Sequence, residues 1–242
     1  MNAPILVAIY NLSAMRKLLQ PFNELGLMPG LVYLADRLVS QLFGRRAFYY
    51  YSIVSQPVVE PRLRPGKDQK SQLCESWDDI AEYAVQLGTQ ALMFRDRFNR
   101  GYKCVVLACR GELLAYAWLA LSGYQEDEVR CFFLPAPTSD TGWDFDVYVC
   151  PNHRGTLTFA RLWDAINRCY AEQGRHCSVS RISRFNATSL QSHRSLGARR
   201  VADTLFVVLG PVQIMLASVW PFVHLSLSDR SWPTLRIDVN RL

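Results

Sequence analysis

The sequence predicts an α/β (α+β) fold, a mixed and mostly antiparallel central sheet with helices on both faces, preceded by a helical N-terminal extension. Three observations predict it. Runs from Ala47 onward are rich in aromatic and β-branched residues. Two of the runs flank the hairpin signal Arg110-Gly111. The stretch from Trp143 to Leu209 alternates strand, helix, strand, helix, strand. At 242 residues the chain suits one generous domain with extensions. We divide it into a helical extension over 1–46, a main domain over 47–210 and an apolar extension over 211–242 that packs on the domain or on a membrane surface.

Each element has a local reason. Leu31, Leu34, Ala35, Leu38 and Leu42 recur at helical spacing and Gly44 follows as a stop, so Leu31 to Phe43 is an amphipathic helix. Ala47 to Val54 is the first strand, and the Pro-rich stretch Glu60 to Gln72 is a loop. Ser76 to Arg100 holds one or two helices, with Ser76 and Asp79 at cap spacing. Tyr102 to Cys109 and Leu113 to Leu121 are an antiparallel pair, and Gly123 to Gly142 is variable in character. Trp143 to Cys150 alternates strictly, which places Asp144, Asp146 and Tyr148 on one face and Phe145, Val147 and Val149 on the other. Thr156 to Gln173 is a helix stopped by Gly174, Ser178 to Ser183 a strand, Asn186 to Leu196 a helix ending at Gly197, and Thr204 to Leu209 a strand.

Composition narrows the function classes. Seven cysteines form no CxxC pair and four histidines show no HExxH spacing, so no metal site is expected and a reduced, cytoplasmic setting fits best. The apolar run Ala3 to Tyr10 has no basic region before it, so no secretory signal is expected. Thr204 to Ser228 carries no charge but is interrupted by Pro211, Gln213, Pro221 and His224, which favours a core strand and a buried or membrane-surface segment over a spanning helix. Net charge is +6, and between Asn152 and Arg200 nine arginines face only Asp164 and Glu172. Guanidinium groups suit phosphate or carboxylate, so an anionic ligand or lipid is a candidate partner, the alternative being a solvated helix face. No nucleic-acid motif accompanies the charge, and no nucleic-acid partner is expected.

The segment with most chemical content is Val149-Cys150-Pro151-Asn152-His153-Arg154-Gly155, a strand end that turns into a helix. Unpaired N–H groups at such a helix start can hold phosphate oxygens. About thirty residues downstream, after another strand, stands Asn186-Ala187-Thr188-Ser189, followed by His193 and Leu196-Gly197. With these two segments the chain resembles the GNAT superfamily of acyl-CoA-dependent N-acetyltransferases. Arg154 begins the turn, Leu162 matches the usual helix leucine, Asn186 and Ser189 match the Asn-x-x-Ser pair, and Leu196-Gly197 matches the helix end. The resemblance spans roughly residues 48–209. It departs at Leu157 and Phe159, which stand where the family has glycines, and at His193, which stands at an aromatic position.

The resemblance implies direct transfer of an acyl group from a CoA thioester to an amine, with acetyl-CoA or another acyl-CoA as co-substrate. It implies donor contacts from Val149, Arg154, Gly155, Thr156, Leu157, Asn186 and Ser189. His193 stands where many members carry a tyrosine acid, and it is either that acid or a helix-surface histidine. Asp144 and Asp146 are candidate bases or partners of local arginines, and Tyr148 a donor to substrate. Asn186 either holds the pantetheine arm or caps its helix. The acceptor would be a small-molecule amine, with an amino sugar or related precursor of a bacterial surface polymer as the leaning. Leu157 and Phe159 keep open a donor held on acyl-carrier protein, as in N-acyl amino acid synthesis. The apolar segments keep open a noncatalytic module peripheral to the inner face of the membrane, and a homodimer.

Overall fold

The computed structural model describes residues 20–64 and 66–240. The run Ala3 to Tyr10, with the rest of the first nineteen residues of the extension over 1–46, lies outside them. Helix α1 (Leu27–Phe43) stops at Gly44, whose φ of 67° is the left-handed conformation that glycine adopts without steric cost. Its buried Asp36 accepts N–H bonds from Ala47 and Phe48 at 3.1 and 3.0 Å, and so fixes the corner into strand β1 (Phe48–Pro57).

After β1 come β2 (Gln69–Cys74), α2 (Ala84–Leu87) and α3 (Ala91–Asn99), then β3 (Lys103–Cys109) and β4 (Glu112–Ala120). The short strands β5 (Tyr124–Gln125) and β6 (Phe132–Ala136) precede β7 (Thr141–Val149), α4 (Thr158–Glu172), β8 (Cys177–Ser183) and α5 (Ala187–Ser195). The chain closes with β9 (Arg199–Leu209), β10 (Val212–Ala217), β11 (Val223–Ser226) and β12 (Thr234–Asp238). A nine-stranded sheet runs in the order β11-β10-β9-β1-β8-β7-β4-β3-β2, and β12-β6-β5 form a small second sheet. In the large sheet only β7 and β8 pair in parallel. The predicted class, a mixed and mostly antiparallel sheet with helices on both faces, is therefore what the chain forms.

Two apolar layers hold the helices to the sheet. On one face Leu162, Trp163, Ile166 and Tyr170 of α4 cover Val105, Leu107, Ala115, Ala117 and Leu119. On the other, Phe94 of α3 meets Tyr116 and Trp118 edge-on, with centroids 5.0 and 4.8 Å apart. Each such fully buried side chain contributes about 1.5–3 kcal/mol. Gly142 sets the seat of α4 on β7: a Cβ there would run into the Tyr170 ring.

Several strands were not foreseen. β2 begins inside the expected loop over 60–72 and runs on to Cys74, and β5 and β6 lie inside the segment of variable character, because short strands with polar or mixed faces leave little period-2 signal. The charge-free run from Thr204 is strand material: β9 and β10 form a hairpin that pairs Leu209 with Val212, and β11 extends it; beyond the run, β12 lies parallel to β6 with Leu235 and Ile237 buried. The sheet thus runs on past residue 210. Among the described residues no helix is long and apolar enough to cross a membrane.

Candidate functional site

The parallel pair is the feature that makes a site. β7 and β8 pair from Thr141↔Cys177 to Asp144↔Ser180 and no further, although both strands continue. Beyond that point they part, and a cleft of about 580 Å³ opens there. Asp144, Asp146, Tyr148, Asn186, Ser189 and His193 all line it, so six of the residues singled out in the sequence converge. Val149, Arg154, Gly155, Thr156 and Leu157 are not among its lining residues.

The strict alternation expected along β7 is broken, and this corrects the placement of Asp144. On β4, Tyr116 and Trp118 are two residues apart, yet they pair with Tyr148 and Phe145, three apart. The extra residue is a β-bulge, with Asp146 at a φ of 47°. Before the bulge Asp144 faces the α4 layer, beside Ser178 and the Tyr170 ring. After it Asp146 and Tyr148 face the α3 layer, where Asp146 meets Arg97 and Tyr148 stacks on Tyr116 at 5.1 Å. Asp144 therefore does not share a face with Asp146 and Tyr148. Nothing in an unbroken alternating string reveals a bulge, because the inserted residue keeps the string intact.

Asp144 and His193 stand buried on the cleft, each with an atom that no hydrogen bond satisfies, as does Arg97 at Nε. Asp144 is 1% exposed and bonds Ser178 Oγ through Oδ1, while Oδ2 has no partner. Burial pushes its carboxyl up to about 7, against hydrogen bonds from Ser178 and Ser180 that pull it down. His193 is 4% exposed, sits edge-on to Trp163 and Phe159, and has no partner at Nδ1. Burial alone lowers its ring to about 4. The imidazole is then neutral at neutral pH, so a donor role there works through a neutral ring N–H rather than an imidazolium.

The remaining predicted residues have structural tasks. Asn186 is the N-cap of α5, its Oδ1 accepting the Ser189 N–H at 3.0 Å. The Arg154 guanidinium turns back to the Val149 carbonyl at 3.1 Å. Gly155 has a φ of 73° with open space where a Cβ would stand. The helix begins at Thr158, two residues later than expected, because Pro151–His153 forms a 3-10 turn and the Thr156 hydroxyl bonds both His153 O at 2.7 Å and the Thr158 N–H at 3.2 Å. Helix geometry leaves the Phe159 and Ala160 N–H groups without intrahelical acceptors. Leu157, half exposed, stands at the mouth of the turn and Phe159 packs inward on Trp163.

Sequence reasoning missed the opposite wall. Arg97 is 6% exposed, lies over Trp118 and Phe145, and bonds Asp127 at 2.8 Å and Asp146 at 2.5 Å. Arg181 bonds Glu126 at 2.7 Å and Glu128 at 2.9 Å. Arg97 reads as an ordinary charge in a helix's last turn and Asp127 and Glu128 as loop residues, so only the fold brings them to the cleft. The nine-arginine segment is correspondingly less free than its charge suggests, since Arg154, Arg175 and Arg181 are spent on carbonyls and carboxylates of the chain itself.

No family model matches the chain, and no curated protein does. Among solved structures it is similar to a protein assigned to the GNAT acetyltransferases from Novosphingobium aromaticivorans, at 17% identity and a TM-score of 0.46 over 65% of this chain and 62% of that one. The present chain thus spans less than two thirds of that protein. A ribosomal-protein-alanine N-acetyltransferase from Brucella melitensis is similar at 16% identity and a TM-score of 0.39, over 53% of this chain and 90% of that one. An aminoglycoside acetyltransferase from an uncultured soil sample is similar at 12% identity and a TM-score of 0.38, over 54% and 88%. At such identities and scores these are likenesses of shape, and no activity is read from them.

Proposed function

We propose that the chain is an N-acyltransferase that moves an acetyl or other acyl group from a CoA thioester to an amine inside the β7–β8 cleft, by direct transfer. One observation carries the reading: the only parallel pair of the large sheet among the described residues parts after Asp144 and Ser180, and the cleft opens there. Strand edges that have lost each other can bond an extended amide-bearing arm as an added strand would, and pantetheine is such an arm. The first-turn N–H groups of α4 and the open Gly155 suit its phosphates. Asn186 and Ser189 stand at the cleft as the start of α5, whose cap leaves the Asn186 amide nitrogen available to the arm.

The chemistry needs one proton removed and one supplied. The amine nitrogen attacks the thioester carbonyl carbon, a C–N bond replaces the C–S bond, one proton leaves nitrogen and one joins the departing sulfur. Asp144, poised near neutrality with a free Oδ2, accepts the first. His193 or Tyr148 donates toward the sulfur, and Asp146 stays engaged with Arg97 as an orienting carboxylate. An amino sugar is the acceptor we favour for the hydroxyl- and carboxylate-lined wall.

A second reading has its own observation. Leu157 and Phe159 crowd the turn where a diphosphate would come close, and Arg154 is folded onto Val149. A donor on acyl-carrier protein, whose phosphopantetheine lacks the nucleotide, avoids that crowding. Thermal unfolding with CoA, acetyl-CoA and acylated carrier protein separates the two, since a ligand that binds only the folded chain raises the midpoint. A rise with CoA supports the first reading, and a rise with the carrier alone replaces it by the second. In turnover, His193→Phe should lower kcat at least tenfold with KM for the donor within about twofold. An unchanged kcat would remove His193 from the reaction.

A further inference from the structure

Far from the cleft, the β11 end of the large sheet has two unlike faces. Directly opposed residues of an antiparallel ladder point to the same side. Phe206 of β9 stands opposite Met215 of β10, Gln213 stands opposite Ser226 of β11, and all four are buried. Their neighbours point the other way: Leu205 meets Leu216, which meets Val223, and Ile214 meets Leu225. Leu216, Val223 and Leu225 are 43%, 63% and 53% exposed. The loop between β10 and β11 adds Trp220 and Phe222, both more exposed than buried. At the other end of the hairpin, Leu209 lines a groove of about 710 Å³ together with Val39 and Phe43 of α1. From Thr204 to Ser228 no side chain is charged. A continuous apolar surface of this kind marks a contact with something outside the chain.

The charges at its border say what that partner is. Asp203 is bonded by Ser52 at 2.7 Å and by Arg200 at 3.2 Å, Asp229 by Arg130 at 2.7 Å, and Asp36 by Arg46 at 3.3 Å. Arg45, on the rim of the groove, and Arg230, three residues beyond the exposed Leu227, are exposed and make no ion pair among the described residues. The carboxylates are thus answered and two cations are not. A second copy of the chain would bring the same unanswered cations and no carboxylate to meet them, whereas a layer of anionic headgroups supplies the missing sign.

We propose that the outward face of β9, β10 and β11 docks on an anionic lipid bilayer, with Trp220 and Phe222 entering the interface and Arg45 and Arg230 meeting the headgroups. Apolar side chains drive such a contact, and a tryptophan ring rests well at headgroup depth. Penetration stops there, because β11 ends the sheet among the described residues and its outer edge carries backbone groups that hydrocarbon would leave unsatisfied. The proposal stands beside the transferase reading and does not use it.

The test is flotation of the full chain with unilamellar vesicles, either of phosphatidylcholine alone or with about one part in three of phosphatidylglycerol. The anionic vesicles should carry about fivefold more chain than the neutral ones, and the ratio should shrink as salt is raised. Trp220→Ser combined with Phe222→Ser alters only exposed side chains and should lower binding to the anionic vesicles about tenfold. Arg45→Gln should lower it about fivefold and leave binding to neutral vesicles unchanged. One arm needs no variant: anionic vesicles whose acyl chains carry bromine should quench the tryptophan fluorescence of the unaltered chain, and Trp220→Phe should remove most of that quenching. Absence of flotation with anionic vesicles, equal flotation with both compositions, flotation without quenching, or flotation that the Trp220 and Phe222 changes leave intact overturns the proposal. So does a chain that ignores vesicles but forms a dimer that Leu225→Asn dissociates, which would assign the face to a second copy.

Discussion

The two walls of the cleft are held by different physics. The wall formed by α3, β4, the far half of β7 and the loop after β5 is held by charge: Arg97 and Arg181 sit among carboxylates and aromatic rings, and nearly every polar atom has a partner. The wall formed by α4, α5 and the near half of β7 is held by packing. Two of its polar side chains, Asp144 and His193, line the cleft buried, each with one atom left unsatisfied. The first wall is rigid and specific, and breaking it costs stability. The second keeps two buried groups whose charged forms desolvation disfavours.

Removing a partner from the charged wall has the largest expected effect. Arg97→Met keeps the apolar volume over Trp118 and Phe145 but leaves Asp146 without its arginine and Asp127 with only Arg100 at 3.4 Å. Because both carboxylates are about a third exposed, we expect a loss of about 2–4 kcal/mol rather than the full cost of a buried orphan. Chemical denaturation measures it, and a loss below about 1 kcal/mol would show that the wall is held by its aromatic contacts alone.

On the packed wall the same kind of change has the opposite sign. The carboxyl of Asp144 is raised in the folded state, so the folded chain holds a proton that the unfolded chain releases, and stability falls as pH rises from about 4 to about 7. Asp144→Asn should therefore raise stability at pH 8 by about 1–3 kcal/mol and abolish this fall, while lowering kcat/KM. Stability curves at pH 5 and pH 8 check it; a variant that is less stable at both would mean that the carboxylate is solvated.

Asn186→Ala removes the α5 cap and should cost about 1 kcal/mol at any pH. His193→Phe should change stability least near neutrality, since a neutral ring is replaced by an apolar one of similar size. Its signature is again in the pH dependence. The ring is lowered, so the folded chain resists a proton that the unfolded chain takes up, and stability falls as pH drops from about 6.5 to about 4. The slopes of Asp144 and His193 oppose each other over that interval, and each single variant should expose the slope of the other.

The packed wall was far more legible in the sequence than the charged one. Asn186, Ser189 and His193 are spaced along one helix, and the turn before α4 follows a strand, so local periodicity and turn chemistry suffice to bring them forward. The charged wall is assembled from residues 30 to 80 positions apart, such as Arg97 with Asp127 and Tyr51 with Glu128, and no local pattern pairs them. The bulge at Asp146 was invisible for a different reason: WDFDVYVC alternates in letters, while in space one residue is looped out. Strands β10 and β11 escaped because their exposed faces are as apolar as their buried ones, which erases the alternation that marks a half-buried strand, whereas β12 does alternate but is only five residues long.

Gln213 of β10 accepts the Arg130 backbone N–H on its side-chain oxygen at 2.8 Å and donates its side-chain N–H to the Arg130 carbonyl at 2.7 Å, while the Arg130 guanidinium donates to the Pro211 carbonyl and to Asp229. Three positions upstream of that clasp begin the carboxylates that face the cleft. The tail of the chain is thus a tie-rod for the loop that carries Asp127 and Glu128 to the cleft. A shortened protein that ended at residue 210 would lose β10, β11 and β12, and with them the clasp that fixes Arg130 beside Asp127 and Glu128.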